Sequence, residues 1–289
     1  MTRIDAHHHL WELARRPQTW LDGPALAAIR RDFTLDDFAP HATAAGVDRG
    51  VLVQVLPDAD ETAEFLAVAA ASDLVAGVVG WADLVSDRLP HTLARLREGP
   101  GGEYLVGVRH LVQSEPDPGW LNRPDVRQGM RTLATLGLAY DLLTLPHQLP
   151  AAVDTARALP ELTFILDHLS KPPIASGELE PWAARVRELA AEPNVFCKLS
   201  GLVTEAGAGW TVPDLRPYAE VVLDAFGSHR VMFGSDWPVC LLAASYSQVV
   251  ATAEEMTAAL SADERADVFG GTAARAYGLK LETGRKDAS

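Results

Sequence analysis

The chain has 289 residues, 48% hydrophobic and 22% charged, enough to bury one large core without being split. A formal charge of −14 at pH 7 works against nucleic acid or an anionic membrane as partner, since both call for clustered Lys and Arg. Two cysteines outside any C-x-x-C spacing, Cys197 and Cys240, read as reduced buried thiols; with no apolar leader or bilayer-length stretch, the expectation is a cytoplasmic protein.

The first predicted strand, residues 3–9, carries Asp5-Ala6-His7-His8-His9. Alternate side chains share a face of a strand, so His7 and His9 form half of a metal site, unless the strand is simply polar, and His8 points the other way. Residues 50–55 follow as a strand ending near Gln54, with Asp58 before a helix at 59–71. Next come a strand at 76–81 and a helix at 90–96, then a strand at 106–111 bearing Arg109 and His110. Asp125 precedes a helix at 126–136, and a strand at 138–142 ends in Tyr140 and Asp141. A helix at 149–158 leads to a strand at 163–168 ending in Asp167 and His168, after which Lys171-Pro172-Pro173 makes a stiff turn. The last units are a helix at 181–191, a strand at 195–200 with Lys198, a helix at 215–225 after Asp214, a strand at 231–236 ending in Asp236, and a helix at 245–260 from Ser245.

Eight apolar strands alternating with helices predict a parallel sheet and, by count, a (β/α)8 barrel of the TIM type. A doubly wound open sheet competes, but no G-x-G-x-x-G follows the first strand. The expected organisation is one domain over 1–279 and a polar, frayed tail over 280–289. Taken singly, His168 could be a core histidine, Lys198 a rim cation and Arg109 the partner of a structural carboxylate. Their recurrence at strand ends matters more, because those ends open on one face of a barrel and build its active site.

Five blocks together are similar to the amidohydrolase superfamily, and within it to the amidohydrolase 2 branch of sugar lactonases of the L-fuconolactonase and L-rhamnono-1,4-lactonase type. They are Ile4-Asp5-Ala6-His7-His8-His9-Leu10-Trp11, Gly107-Val108-Arg109-His110, Ile165-Leu166-Asp167-His168-Leu169-Ser170-Lys171-Pro172-Pro173, Asn194-Val195-Phe196-Cys197-Lys198-Leu199-Ser200-Gly201-Leu202 and Met232-Phe233-Gly234-Ser235-Asp236-Trp237-Pro238-Val239-Cys240. The resemblance implies a metal-dependent-hydrolase barrel in which His7 and His9 are the first-strand pair, His168 the sixth-strand histidine and Asp236 the general base of a lactone hydrolysis. One divalent ion held by His7, His9, His168 and Asp236 is implied, zinc favoured by ligand type, or none, with the histidines polarising the carbonyl directly. Arg109, His110 and His168 are candidates for stabilising the oxyanion, and Arg109 for the product carboxylate.

Superfamily members with two metals carry a bridging carboxylated lysine or glutamate and a fifth-strand histidine. Here those positions read Arg109-His110 and Tyr140-Asp141, which argues against a binuclear centre. Trp237, Asp141, Gln54 and Lys171 are further candidates for substrate contact, Trp237 ahead of Trp11 and Trp81 for stacking on a sugar ring. The expected partner is a small-molecule lactone, and a homo-oligomer is left open. Alternatives are hydrolysis of another cyclic ester or amide, decarboxylation of an aromatic acid, and non-catalytic sugar binding.

Overall fold

The computed structural model describes residues 2–281. Eight parallel strands lie in the order of the chain: β1 Ile4–His8, β2 Arg49–Val53, β3 Val75–Gly80, β4 Leu105–His110, β5 Ala139–Leu142, β6 Phe164–Leu166, β7 Val195–Leu199 and β8 Val231–Phe233. The sheet curls back on itself just beyond β8. There the Asp236 amide donates to the His7 carbonyl at 2.8 Å and the His9 amide to the Trp237 carbonyl at 2.7 Å. The (β/α)8 expectation holds. Each predicted strand is present, but β6 and β8 stop at Leu166 and Phe233, so Asp167, His168 and Asp236 lie on the turns beyond them.

The outer layer holds α1 Leu35–Ala44, α2 Ala59–Ala70, α3 Leu89–Glu98, α4 Pro124–Thr135, α5 Leu149–Ala158, α6 Trp182–Ala190, α7 Leu202–Ala206, α8 Val212–Phe226, α9 Tyr246–Met256, α10 Ala262–Ala266 and α11 Thr272–Ala276. Helix α1 has no counterpart among the predicted elements. It starts in a capping box, the Thr34 hydroxyl accepting from the Asp37 amide while the Asp37 carboxylate takes the Thr34 amide. Asp58 and Ser245 cap α2 and α9 as expected. Asp125 and Asp214 instead lie inside the first turns of α4 and α8, and Asp214 closes a capping box with Thr211. Of the predicted tail, 282–289 lies outside the described residues, and Leu281 packs beneath the barrel.

Two apolar clusters place the site. The larger joins strands to helices. The smaller fills the lower barrel with Ile4, Ala6, Val51, Val53, Val79, Val106, Ala139, Ile165 and Met232, closed below by Tyr277 of the C-terminal segment. Two residues farther along a strand the side chain faces the same way. Asp141 therefore stands above Ala139, Asp167 above Ile165, and Lys198 above Phe196, as a polar layer on an apolar floor.

Candidate active site

The polar layer begins at Lys198, which is wholly buried and gives its ammonium to Asp141 Oδ2 at 2.6 Å, Asp167 Oδ1 at 2.9 Å and His7 Nδ1 at 3.0 Å. Three N–H bonds meet three acceptors, the full complement of a lysine. Tyr277 also donates to Asp141 Oδ2, at 2.7 Å. Burial raises the Asp141 carboxyl to about 6 against the pull of Lys198. Burial acts on Asp167 in the same sense, yet Lys198, His7 and Arg109 hold it well below the usual carboxylate range. Arg109 reaches Asp167 Oδ2 at 3.0 Å and grips Gln54 through Nε and Nη2, at 3.2 and 2.9 Å to Oε1.

Above that layer stand the histidines. His9 Nδ1 donates to the Val53 carbonyl at 2.8 Å, which leaves its Nε2 as an acceptor facing His7 Nε2 at 3.1 Å. His168 is held through Nδ1 by the Ser200 hydroxyl at 2.8 Å. Asp236 closes the group, Oδ1 lying 3.5 Å from His9 Nε2 and 3.8 Å from Nε2 of both His7 and His168. Burial pushes the Asp236 carboxyl up, but His168 and His9 outweigh it and the net shift is downward. Burial lowers His168 to about 4 and His7 well below its ordinary value, so both are neutral at physiological pH. Asp236 lies in the left-handed region at φ 58°, which turns its carboxylate inward while the chain bonds back to β1.

The group opens upward into a cavity of about 250 Å³. His9, Arg109, His168, Lys171 and Asp236 line it with Trp11, Trp20, Leu56, Leu111 and Leu143. The structure thus brings together His7, His9, His168, Asp236, Arg109 and Lys171. Gln54 and Asp141 sit behind them as supports for Arg109 and Lys198. His110 and Trp237 lie elsewhere. With Arg109 pointing in, alternation turns His110 out, where it stacks on Trp120 at 4.3 Å between centroids and bonds Glu115 Oε1 at 2.7 Å. The Trp237 ring is 1% exposed and packs edge-on to Phe33, so it offers no face to the cavity. His8 likewise points out, stacked on Phe38 at 4.2 Å. Trp20, Gln113 and Ser114 line the cavity unforeseen, being on loops whose sequence carries no periodic signal. Asp167, Lys198 and Tyr277 form a network that only barrel closure assembles.

A family profile described as Amidohydrolase, the amidohydrolase 2 family, matches residues 4–279. The chain belongs to this amidohydrolase family. It is 41% identical over 290 residues to an L-fucono-1,5-lactonase of Burkholderia ambifaria, covering 99% of each chain. A second L-fucono-1,5-lactonase, from Burkholderia multivorans, is 39% identical over 289 residues, covering 96% of each. A crystal structure of an amidohydrolase from Burkholderia multivorans with bound zinc superposes with a TM-score of 0.90 at 38% identity, covering 97% of this chain and 100% of that one.

The residues of this amidohydrolase fit a single divalent cation. His7, His168 and Asp236 each offer a ligand atom within 4.8 Å of the others, and His9 Nε2 adds a fourth at 3.1 Å from His7 Nε2. Four-coordinate zinc with bonds of ~2.0–2.1 Å spaces its ligands by about 3.3 Å, against 3.1 Å between His7 and His9 and 3.5–3.8 Å from Asp236 to the three histidines. Charge agrees. The buried set holds three carboxylates, Asp141, Asp167 and Asp236, against two fixed cations, Lys198 and Arg109, so it is one positive charge short. A His7 ligating through Nε2 would carry its proton on Nδ1, giving up the bond from Lys198 for one to Asp167 Oδ1, 3.4 Å away.

Proposed function

We propose that this amidohydrolase opens a sugar-acid lactone, water attacking the ring ester carbonyl on the cavity floor. The observation that carries the reading is one ionised carboxylate, Asp236, within 3.5–3.8 Å of three imidazole nitrogens at the base of a sugar-sized cavity. The L-fucono-1,5-lactonases at 41% and 39% identity support this substrate class.

Asp236 takes the proton of the attacking water. Its lowered pKa keeps it ionised at neutral pH and so able to accept a proton. The new bond joins the water oxygen to the carbonyl carbon. Collapse breaks the bond to the ring oxygen, and the proton on Asp236 passes to that oxygen, giving a hydroxy acid with no net change at the enzyme. A divalent ion held by His7, His9, His168 and Asp236, with zinc the natural choice for nitrogen and carboxylate ligands, supplies Lewis-acid polarisation when bound. Lys171 lines the cavity at the rim, its ammonium 3.7 Å from Glu205 Oε1, and is the cation placed to meet the developing carboxylate. Arg109 also lines the cavity, but its guanidinium is committed to Gln54 and Asp167, so it acts through its field and by holding Asp167. Two free buried thiols, Cys197 and Cys240, suit a cytoplasmic setting.

The test is acid release from a panel of aldono-1,4- and aldono-1,5-lactones, by a pH indicator and above the spontaneous rate, with chelated and zinc-reloaded protein. Ring opening of at least one sugar lactone, diminished by chelation and restored by zinc, is expected. No turnover in any metal state would remove the reading, and full activity after chelation would remove the ion.

A further inference from the structure

The turn that carries His168 is left-handed along its whole length. His168, Leu169, Ser170 and Lys171 have φ of 50°, 54°, 59° and 51°, and none is glycine. For L-residues this conformation is costly and is ordinarily visited one residue at a time. Four in a row persist only where the surroundings over-determine them. The Lys171 amide bonds the His168 carbonyl at 2.7 Å, so the segment is one tight turn of three-residue repeat. In such a turn residues i and i+3 share a face. His168 and Lys171 accordingly both line the cavity, while Leu169 and Ser170 are buried on the far side.

The far side is gripped from two other elements. The indole N–H of Trp182, at the start of α6 and 1% exposed, donates to the Leu169 carbonyl at 2.7 Å. The hydroxyl of Thr144, just past β5, bonds that of Ser170 at 2.8 Å, both groups wholly buried. Neither Trp182 nor Thr144 lines the cavity. A tryptophan there needs only to pack, and a buried threonine needs only some partner. Instead, each spends its single polar group on one of the two middle residues of the left-handed turn.

We propose that Trp182 and Thr144 are positioning residues, which hold the left-handed turn so that His168 and Lys171 face the substrate together. The proposal rests on the lactonase reading for its consequence, though the grip itself can be measured without it. Three variants decide it. Trp182→Phe keeps the aromatic packing without the N–H, Thr144→Val keeps the shape without the hydroxyl, and Thr144→Ser restores the hydroxyl. In the first two, kcat for lactone opening should fall about tenfold with KM within about threefold, as misplacement of reacting groups requires. Backbone amide exchange over 167–171 should speed up by about tenfold in the same two, with exchange in β2 and β3 unchanged. Thr144→Ser should match the parent in both readouts. If Trp182→Phe does not fold, the Thr144 pair carries the test alone. Folded variants with parental exchange and kcat would overturn the proposal, as would faster exchange with unchanged kcat. Should the parent protein open no lactone at all, the function reading fails, and the exchange result still decides whether these two residues hold the turn.

Discussion

His110 shows how one residue can carry a site-like signal and a structural role. It follows Arg109 on β4, and two successive strand residues cannot both face the barrel interior. Alternation therefore held the answer, but which of the two turns inward depends on the register of β4 against β3, which shifts between Val78 and Val79. Stacked on Trp120, bonded to Glu115 and receiving the Trp81 indole N–H at 3.4 Å, His110 ties three segments together outside the cavity. His110→Ala should leave kcat and KM within about twofold and cost about 1–2 kcal/mol of stability, from the lost stack and hydrogen bonds. Chemical denaturation beside steady-state kinetics checks it; a large loss of kcat with unchanged stability would return His110 to the chemistry. His7 and His9 were legible for the opposite reason: one strand sets their spacing, and their Nε2 atoms stand 3.1 Å apart.

At the scale of the element, the β2–α2 connection holds a pH-dependent contribution to stability. Glu61, in the first turn of α2, turns back so that its carboxylate accepts the amides of Val55 and Leu56 at 2.8 and 2.9 Å. Burial nevertheless dominates and raises the carboxyl from 4.5 to about 7. A folded-state pKa above the unfolded one stabilises fully below the unfolded value and is lost as pH rises through the folded value. Glu61 thus favours folding below 4.5, and its contribution declines towards 7 and stays lost above it. At 1.36 kcal/mol per unit the whole swing is about 3 kcal/mol. Glu61→Gln keeps an oxygen for both amides but does not titrate. Between about pH 5 and about pH 8 its urea-unfolding stability should gain on that of the parent. Parallel curves would contradict this. Elements were legible where periodicity is strong, as for α5, predicted over 149–158 and found at Leu149–Ala158. Helix α1 escaped because Pro40 interrupts it, although the Thr34 and Asp37 capping box was there to be read. The left-handed turn after β6 had no local signal at all. Left-handed backbone is ordinarily announced by Gly or Asn, and here tertiary bonds from Trp182 and Thr144 stand in for that choice.

For the whole molecule, eight strands on an apolar floor lift one charged layer and one histidine layer to the same mouth. Strand count and polar strand ends made the barrel and its active face readable. The pairings were not readable, because Lys198 meets Asp141 and Asp167, and Tyr277 meets Asp141 across 136 residues of sequence, only through the curvature and stagger of the closed sheet. Distance along the chain carries no record of that stagger. The barrel mouth is proposed to work through Asp236 as the base that activates the water opening a lactone. This role is tested by comparing the parent protein with Asp236→Asn on a sugar lactone that the parent opens, with binding of the hydroxy-acid product followed by calorimetry. Turnover is expected to fall by about 10²–10⁴-fold, the range for loss of a positioned general base, while product binding is retained. A folded Asp236→Asn protein that turns over as fast as the parent would contradict that role.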